Sequence, residues 1–394
     1  MPLKINVRSV AVPDELDMSA SSVFMRQGQL ILAHGEVLRI EAFGENRIAE
    51  LSQKWKELIA SADIDNQVEL PGSGVIALTS ISFSAHSAAP SVLYVPKTTL
   101  VIKEGIAFEV TAGNDSIDAV ETKKPSGVFL PGDLSASSFK NLVERSVSII
   151  SKTELDKVVL SRDLVMPISQ RPDLSEAIQK LHDRYPHCWT YAIGDVFGAS
   201  PELLLRAVSG EVSARVLAGT AGRGTDPDVD RAIAEGLVHS HKNRHEHDYA
   251  AKSMVERLEP FCEVVEADSE PFSLALPDLW HLATDVRGKL KTGVTLLDVI
   301  SELHPTAAVA GTPRLLAQEL IAELEPYDRA GYAGPVGWLS SDGSGELAIA
   351  LRGGVIERDQ IRAFAGCGIV EESDPQAELD ETDLKFRAVR HAFS

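Results

Sequence analysis

The chain patterns as an α+β protein, and three features of its sequence predict that class. Helical spacing and strand-like alternation both recur, they mix without strict βα alternation, and turn signals join neighbouring strands as hairpins. Asn46–Ala60 places Ile48, Leu51, Trp55, Leu58 and Ile59 at helical spacing. Strand-like stretches follow at Gly74–Phe83, Ser91–Tyr94 and Thr99–Ile102. Charge, proline and glycine around Glu121–Gly132 mark a surface connection.

Past that connection the signals sharpen. Ser135–Lys152 reads as a helix with Phe139, Leu142, Val143, Val147 and Ile150 on one face. The strand Lys157–Met166 sets Val158, Leu160 and Leu164 on one side and Lys157, Val159 and Ser161 on the other. Asp173 is the expected N-cap of a helix bearing Leu174, Ile178 and Leu181. A Ser209-Gly210 turn joins Leu203–Val208 to Glu211–Leu217 as a hairpin. Residues 1–394 are read as one domain, in which 1–125 is poorer in motifs and 133–394 carries the core.

Composition narrows the function classes. The 394 residues are 44% hydrophobic and 24% charged, a balance that folds. A net charge of −20 argues against nucleic acid and anionic membrane surfaces as partners, because both are held through clustered Lys and Arg. No stretch has the apolar length of a membrane span, and the acidic, polar start is unlike a signal peptide. Three scattered cysteines, Cys188, Cys262 and Cys367, predict neither disulfides nor a thiolate metal site, and a cytoplasmic setting is expected. A small anion remains a suitable ligand if local cations or a metal ion override the acidic background.

Three segments carry candidate chemistry. His239–Asp248 (HSHKNRHEHD) sits in an expected continuous helix and is polar on every side, so it is either solvated all round or lines a polar cavity. His241 and His245 have i, i+4 spacing, but the zinc pattern HExxH fails because Tyr249 stands where its second histidine belongs. Glu246 there suits a hard ion such as Mg²⁺. The last helix opens with Asp374 as N-cap and Pro375 at its first position, and Glu378, Glu381 and Lys385 share a face. The helix dipole alone accounts for acidic residues at that end. The third segment comprises glycine-rich turns at Leu217–Gly224 and Gly366-Cys367-Gly368, whose backbone N–H groups can hold a carboxylate or simply form tight turns. There is no Gly-x-Ser-x-Gly elbow and no P-loop ending.

Taken in order, KVVLSR (157–162), ASPELLLR (199–206), LAGTAGRG (217–224), SHKNRHEH (240–247), WHLATDVRG (280–288), LHPTAAVAGTP (303–313), EPYDRAGYAGPVGW (325–338) and FAGCGIVEESDPQAELDETDLK (364–385) resemble the chorismate-utilising enzyme family. The resemblance runs from about Leu142 to Phe393 and is looser around Gly74–Pro96. It implies a large two-lobed β-sheet sandwich with helices packed outside. Members with a covalent route carry a lysine nucleophile where Ala218 stands here, and the HPTAAVAGTP and YAGPVGW segments look most like isochorismate synthases. Salicylate synthases, which add pyruvate elimination, are the nearest alternative, and a non-catalytic chorismate-binding homologue is a third reading. Val216, where the family has proline, and Ser82-Phe83, in place of Pro-Phe, depart from the pattern.

The resemblance also implies roles. Lys157 is the general base, a neutral amine that burial or nearby cations favour, with Arg162 as one such cation. Glu202 is the general acid. Glu246, Glu378 and Glu381 are implied ligands of Mg²⁺. Gly219, Thr220, His281, Tyr332, Arg352, Gly368 and Lys385 are implied contacts of chorismate. The implied protein is a monomer whose product passes to an isochorismate-using enzyme.

Overall fold

The computed structural model describes residues 2–19, 21–113, 122–125 and 127–394, without the side chains of Lys242 and Glu246. Two large sheets dominate it. One of thirteen strands and one of ten face each other, and both take strands from the motif-poor and the motif-rich parts of the chain. Trp189–Ile193 pairs with Ser22–Arg26 in the first sheet, and Pro335–Ser340 pairs with Ile76–Ser80 in the second. This is the α+β sandwich the sequence predicts.

Alternation explains the layering. Phe24, Ile31 and Ala33 point into the core shared by both sheets, while Val23, Met25, Leu30 and Leu32 join a second core on the outer face. Strands buried on both faces need a helical cover. Ser175–Arg184 and Pro375–Ala392 supply it here through Ile178, Leu181, Ala388 and Ala392. Pro227–His239 and His241–Leu258 pack on the ten-stranded sheet, and Arg47–Ser61 packs against Leu296–Leu303.

Several expectations are corrected. Asp173 is not the N-cap of its helix: Leu174 holds that position, and Asp173 Oδ1 instead accepts from Ser175 N at 2.9 Å. The polar histidine segment is not one continuous helix. It breaks at Ser240, whose extended backbone (φ −68°, ψ 116°) and side chain cap the second helix at Asn243 N. Neither glycine-rich segment is a turn. Leu217–Gly222 continues the strand Glu211–Gly222, and Gly366–Gly368 lies within Gln360–Ile369, paired with Val159–Ser161. Part of the expected surface connection, at 121 and 126, lies outside the described residues.

Candidate active site

A cavity opens where the two sheets meet. Strand Lys157–Pro167 contributes Val159 and Ser161, the alternate residues that the sequence placed on the face of Lys157. Lys157 itself begins this strand, is 1% exposed, and lies near enough to Glu202 to act on its charge. Arg162 falls on the opposite face, as period-two alternation requires. Its guanidinium pairs with Asp383 and lies 5.2 Å from the centre of the Phe386 ring.

Glu202 follows the strand Val196–Ser200, and its backbone is fixed by Ser200 Oγ (3.2 Å) and by Ile349 N donating to its carbonyl (3.2 Å). The side chain is 3% exposed. Burial pushes its carboxyl up to about 8, against a smaller opposing pull from the Leu217 N–H and from Lys157, Arg352 and Lys385. It is therefore protonated at neutral pH and able to donate.

Gly219 forms a β-bulge. Pairing between Glu211–Gly222 and Leu279–Leu290 jumps from Ala218↔Leu282 to Thr220↔His281, and Gly219 takes φ +80°. A Cβ there would meet Asn243 Cβ at 3.1 Å, so glycine is required on both counts. The bulge re-aims Thr220, whose Oγ1 is 3.1 Å from His281 Nδ1. On the other side of the ring, Arg352 donates to His281 Nε2 at 2.8 Å. A guanidinium only donates, so Nε2 accepts and the proton of the neutral ring is on Nδ1. Burial, then Arg352 and Lys385, hold the imidazole well below its usual range, consistent with that neutral form.

Arg352 adopts φ +53° and Ala333 φ +62°, and both line the cavity. Left-handed backbone at non-glycine residues costs on the order of 1 kcal/mol each and concentrates at functional sites. Tyr332 stacks on Phe364 at 4.8 Å, and burial pushes its phenol up to about 12, leaving a neutral hydroxyl. Lys385 donates to Gly366 O (2.7 Å) and to Glu381 Oε1 (2.5 Å). Gly368 completes the wall from the strand ladder; with no side chain, it leaves room there.

Of the twelve residues expected at a site, nine line this cavity: Glu202, Gly219, Thr220, His281, Tyr332, Arg352, Gly368, Glu381 and Lys385. Glu378 is buried one helical turn before Glu381, with its carbonyl accepting from Cys367 Sγ at 3.7 Å. The Glu246 side chain lies outside the described residues. His241 and His245 are exposed, with their rings stacked 6.1 Å apart, while His247 is buried between Ala218 O (3.2 Å) and Thr284 Oγ1 (2.7 Å). Among the described residues, no group of three or more His, Cys, Asp or Glu could hold a metal.

Sequence reasoning missed one part of the wall. Arg329 lines the cavity and is ion-paired with Glu325, both almost fully buried. It also donates to Val159 O (2.7 Å) and Val309 O (3.1 Å), while Glu325 accepts from Ser161 N (2.7 Å) and Oγ (2.9 Å). The i, i+4 spacing inside EPYDR was the available signal.

A family model described as chorismate binding enzyme matches residues 109–394. The chain belongs to the chorismate-binding enzyme family. Among this family's members, "Isochorismate synthase DhbC" of Bacillus subtilis (strain 168) is 33% identical over 356 residues, covering 85% of this chain and 89% of the relative. "Salicylate biosynthesis isochorismate synthase" of Pseudomonas aeruginosa is 30% identical over 409 residues, covering 96% and 86%. The solved structure of MenF, the menaquinone-specific isochorismate synthase of Escherichia coli, superposes with a TM-score of 0.81 at 22% identity, covering 100% of this chain and 95% of that one. That last likeness establishes the shared fold. Ala218 lines the cavity with a methyl group.

Proposed function

We propose that this chain is an isochorismate synthase, an isomerase that converts chorismate to isochorismate. The observation that carries the reading is Glu202: a buried carboxyl, raised by that burial, inside a cavity that also presents Arg352 and Lys385. Such a site suits a dianion that must lose a hydroxyl group, because the cations hold the carboxylates and the acid protonates the leaving oxygen.

Lys157 removes a proton from water as the water's oxygen bonds to ring C2. The double bonds shift around the ring, and the C4 hydroxyl departs as water with the Glu202 proton. Water enters and water leaves, so substrate and product are isomers. Arg352 and Lys385 bind the two carboxylates, Tyr332 donates its hydroxyl, and His281 orients Arg352 through Nε2. The backbone at Gly219 and Gly368 and the Thr220 hydroxyl complete the contacts.

Mg²⁺ fits the acidic side of the cavity on the chemistry of its donors. Glu378 and Glu381 are hard oxygen donors, and the Cys367 thiol beside them is kept neutral by burial and by those two carboxylates. Glu381 and Glu378, together with Glu246, would hold the ion, which supplies positive charge to the ring carboxylate as a Lewis acid. Chromatography of products from purified protein, chorismate and Mg²⁺ tests the reading. Isochorismate that disappears with EDTA and returns with added Mg²⁺ is expected; salicylate formed without any added lyase supports the pyruvate-eliminating alternative instead.

A further inference from the structure

Glu202 is a wall of two cavities. Behind the main one lies a narrow second chamber, about 10 Å³ in volume and so with room for about one water molecule, lined by Glu202, Ala250, Ser253, Arg257, Thr306 and Ala308. Its inner end is Glu202 and Ala308, which also line the main cavity. Its outer end is Ser253 and Arg257 on helix His241–Leu258, both half-buried, with Arg257 Nε donating to Ser253 Oγ at 3.3 Å. Between the two ends, the Thr306 hydroxyl is buried and has no hydrogen-bond partner among the described residues. A buried hydroxyl left unpaired costs about 1–3 kcal/mol, and bound water is the usual remedy. Ser253, Thr306 and Glu202 give water the polar partners it needs there.

The reaction creates a requirement for such a space. Each turnover leaves Glu202 as a carboxylate and Lys157 as an ammonium, and neither can act again until solvent returns one proton and accepts the other. On the front side of Glu202 stands the substrate or product. We propose that the chamber between helix His241–Leu258 and the Thr306 loop holds a single bridging water molecule and is the route by which solvent reprotonates Glu202 after each turnover. This rests on Glu202 being the acid. The transfer balances: a proton from a solvent acid passes along water to the Glu202 carboxylate, and the ammonium of Lys157 returns one proton to solvent.

Two substitutions outside the substrate-binding wall test this. Ala250→Leu fills the chamber, and Thr306→Val removes only the unpaired hydroxyl. Because resetting follows product formation, it enters kcat but not kcat/KM. In dilute buffer, Ala250→Leu should lower kcat about tenfold with kcat/KM nearly unchanged. Increasing concentrations of imidazole buffer should restore kcat, and Thr306→Val should show the same pattern more weakly. A kcat indifferent to both substitutions and to buffer overturns the proposal, as does a parallel fall in kcat and kcat/KM. If Ala250→Leu fails to fold, the result for Thr306→Val decides. Glu202→Gln separates the two levels of the argument: residual turnover there removes Glu202 as the acid, whereas a dead Glu202→Gln beside silent chamber variants removes only the chamber.

Discussion

At the residue scale, the account turns on how burial acts on ionisable groups. In the proposed role of acid, Glu202 depends on burial, which raises its carboxyl, so the sign of its pH dependence is fixed. Activity that needs its proton persists below about 8 and is lost as pH rises through that value. A kcat/KM profile that stays level well above it would contradict this assignment. The same shift bears on stability. The unfolded chain ionises Glu202 near 4.5 and the folded one only near 8, so its contribution is fully present below the lower value and is lost as pH rises to the upper one. Denaturant titrations across that window should show Glu202→Gln gaining stability relative to the parent as pH rises. Lys157→Ala and Glu202→Gln should each reduce turnover by roughly 10²–10⁴-fold, with circular dichroism unchanged; substantial activity in either variant removes that residue from the mechanism.

At the element scale, two devices hold the cavity open and shaped. One is the bulge at Gly219. Gly219→Ala imposes a Cβ on φ +80° and on Asn243, so it should raise the KM for chorismate and lower the melting temperature. The other is the Glu325–Arg329 pair, which binds strand Lys157–Pro167 to the loop carrying Val309. Removing one partner of a buried pair costs about 3–5 kcal/mol, so Arg329→Ala should shift denaturant unfolding by that amount.

These elements also show what was legible in the sequence and why. The strand at Lys157 and the hairpin at Ser209-Gly210 were readable because their periodicity and turn chemistry are local. The capped last helix was readable for the same reason. Leu217–Gly222 was not: small residues and glycine read as a turn until a partner strand is known, and only the pairing with Leu279–Leu290 makes it a bulged strand. The break at Ser240 was hidden because the segment is polar on both sides of it and carries no glycine or proline at that point. Arg329 escaped notice because its hydrogen-bond partners, apart from Glu325, are backbone carbonyls, which leave no mark on composition.

At the scale of the whole molecule, two sheets that each take strands from distant parts of the chain bring together residues from position 159 to position 385. The net charge of −20 is no obstacle to a dianionic substrate, because Arg352 and Lys385 are concentrated at the cavity that Glu202 also lines. Membership in the chorismate-binding family sets the substrate class, and the proposed function has water as the attacking group. The most direct test of that claim is mass spectrometry of the product formed from chorismate in water enriched in heavy oxygen. The account predicts isochorismate carrying one solvent-derived heavy oxygen at C2, with the C4 oxygen lost to solvent. Unlabelled isochorismate, or no conversion of chorismate in the presence of Mg²⁺, would contradict it.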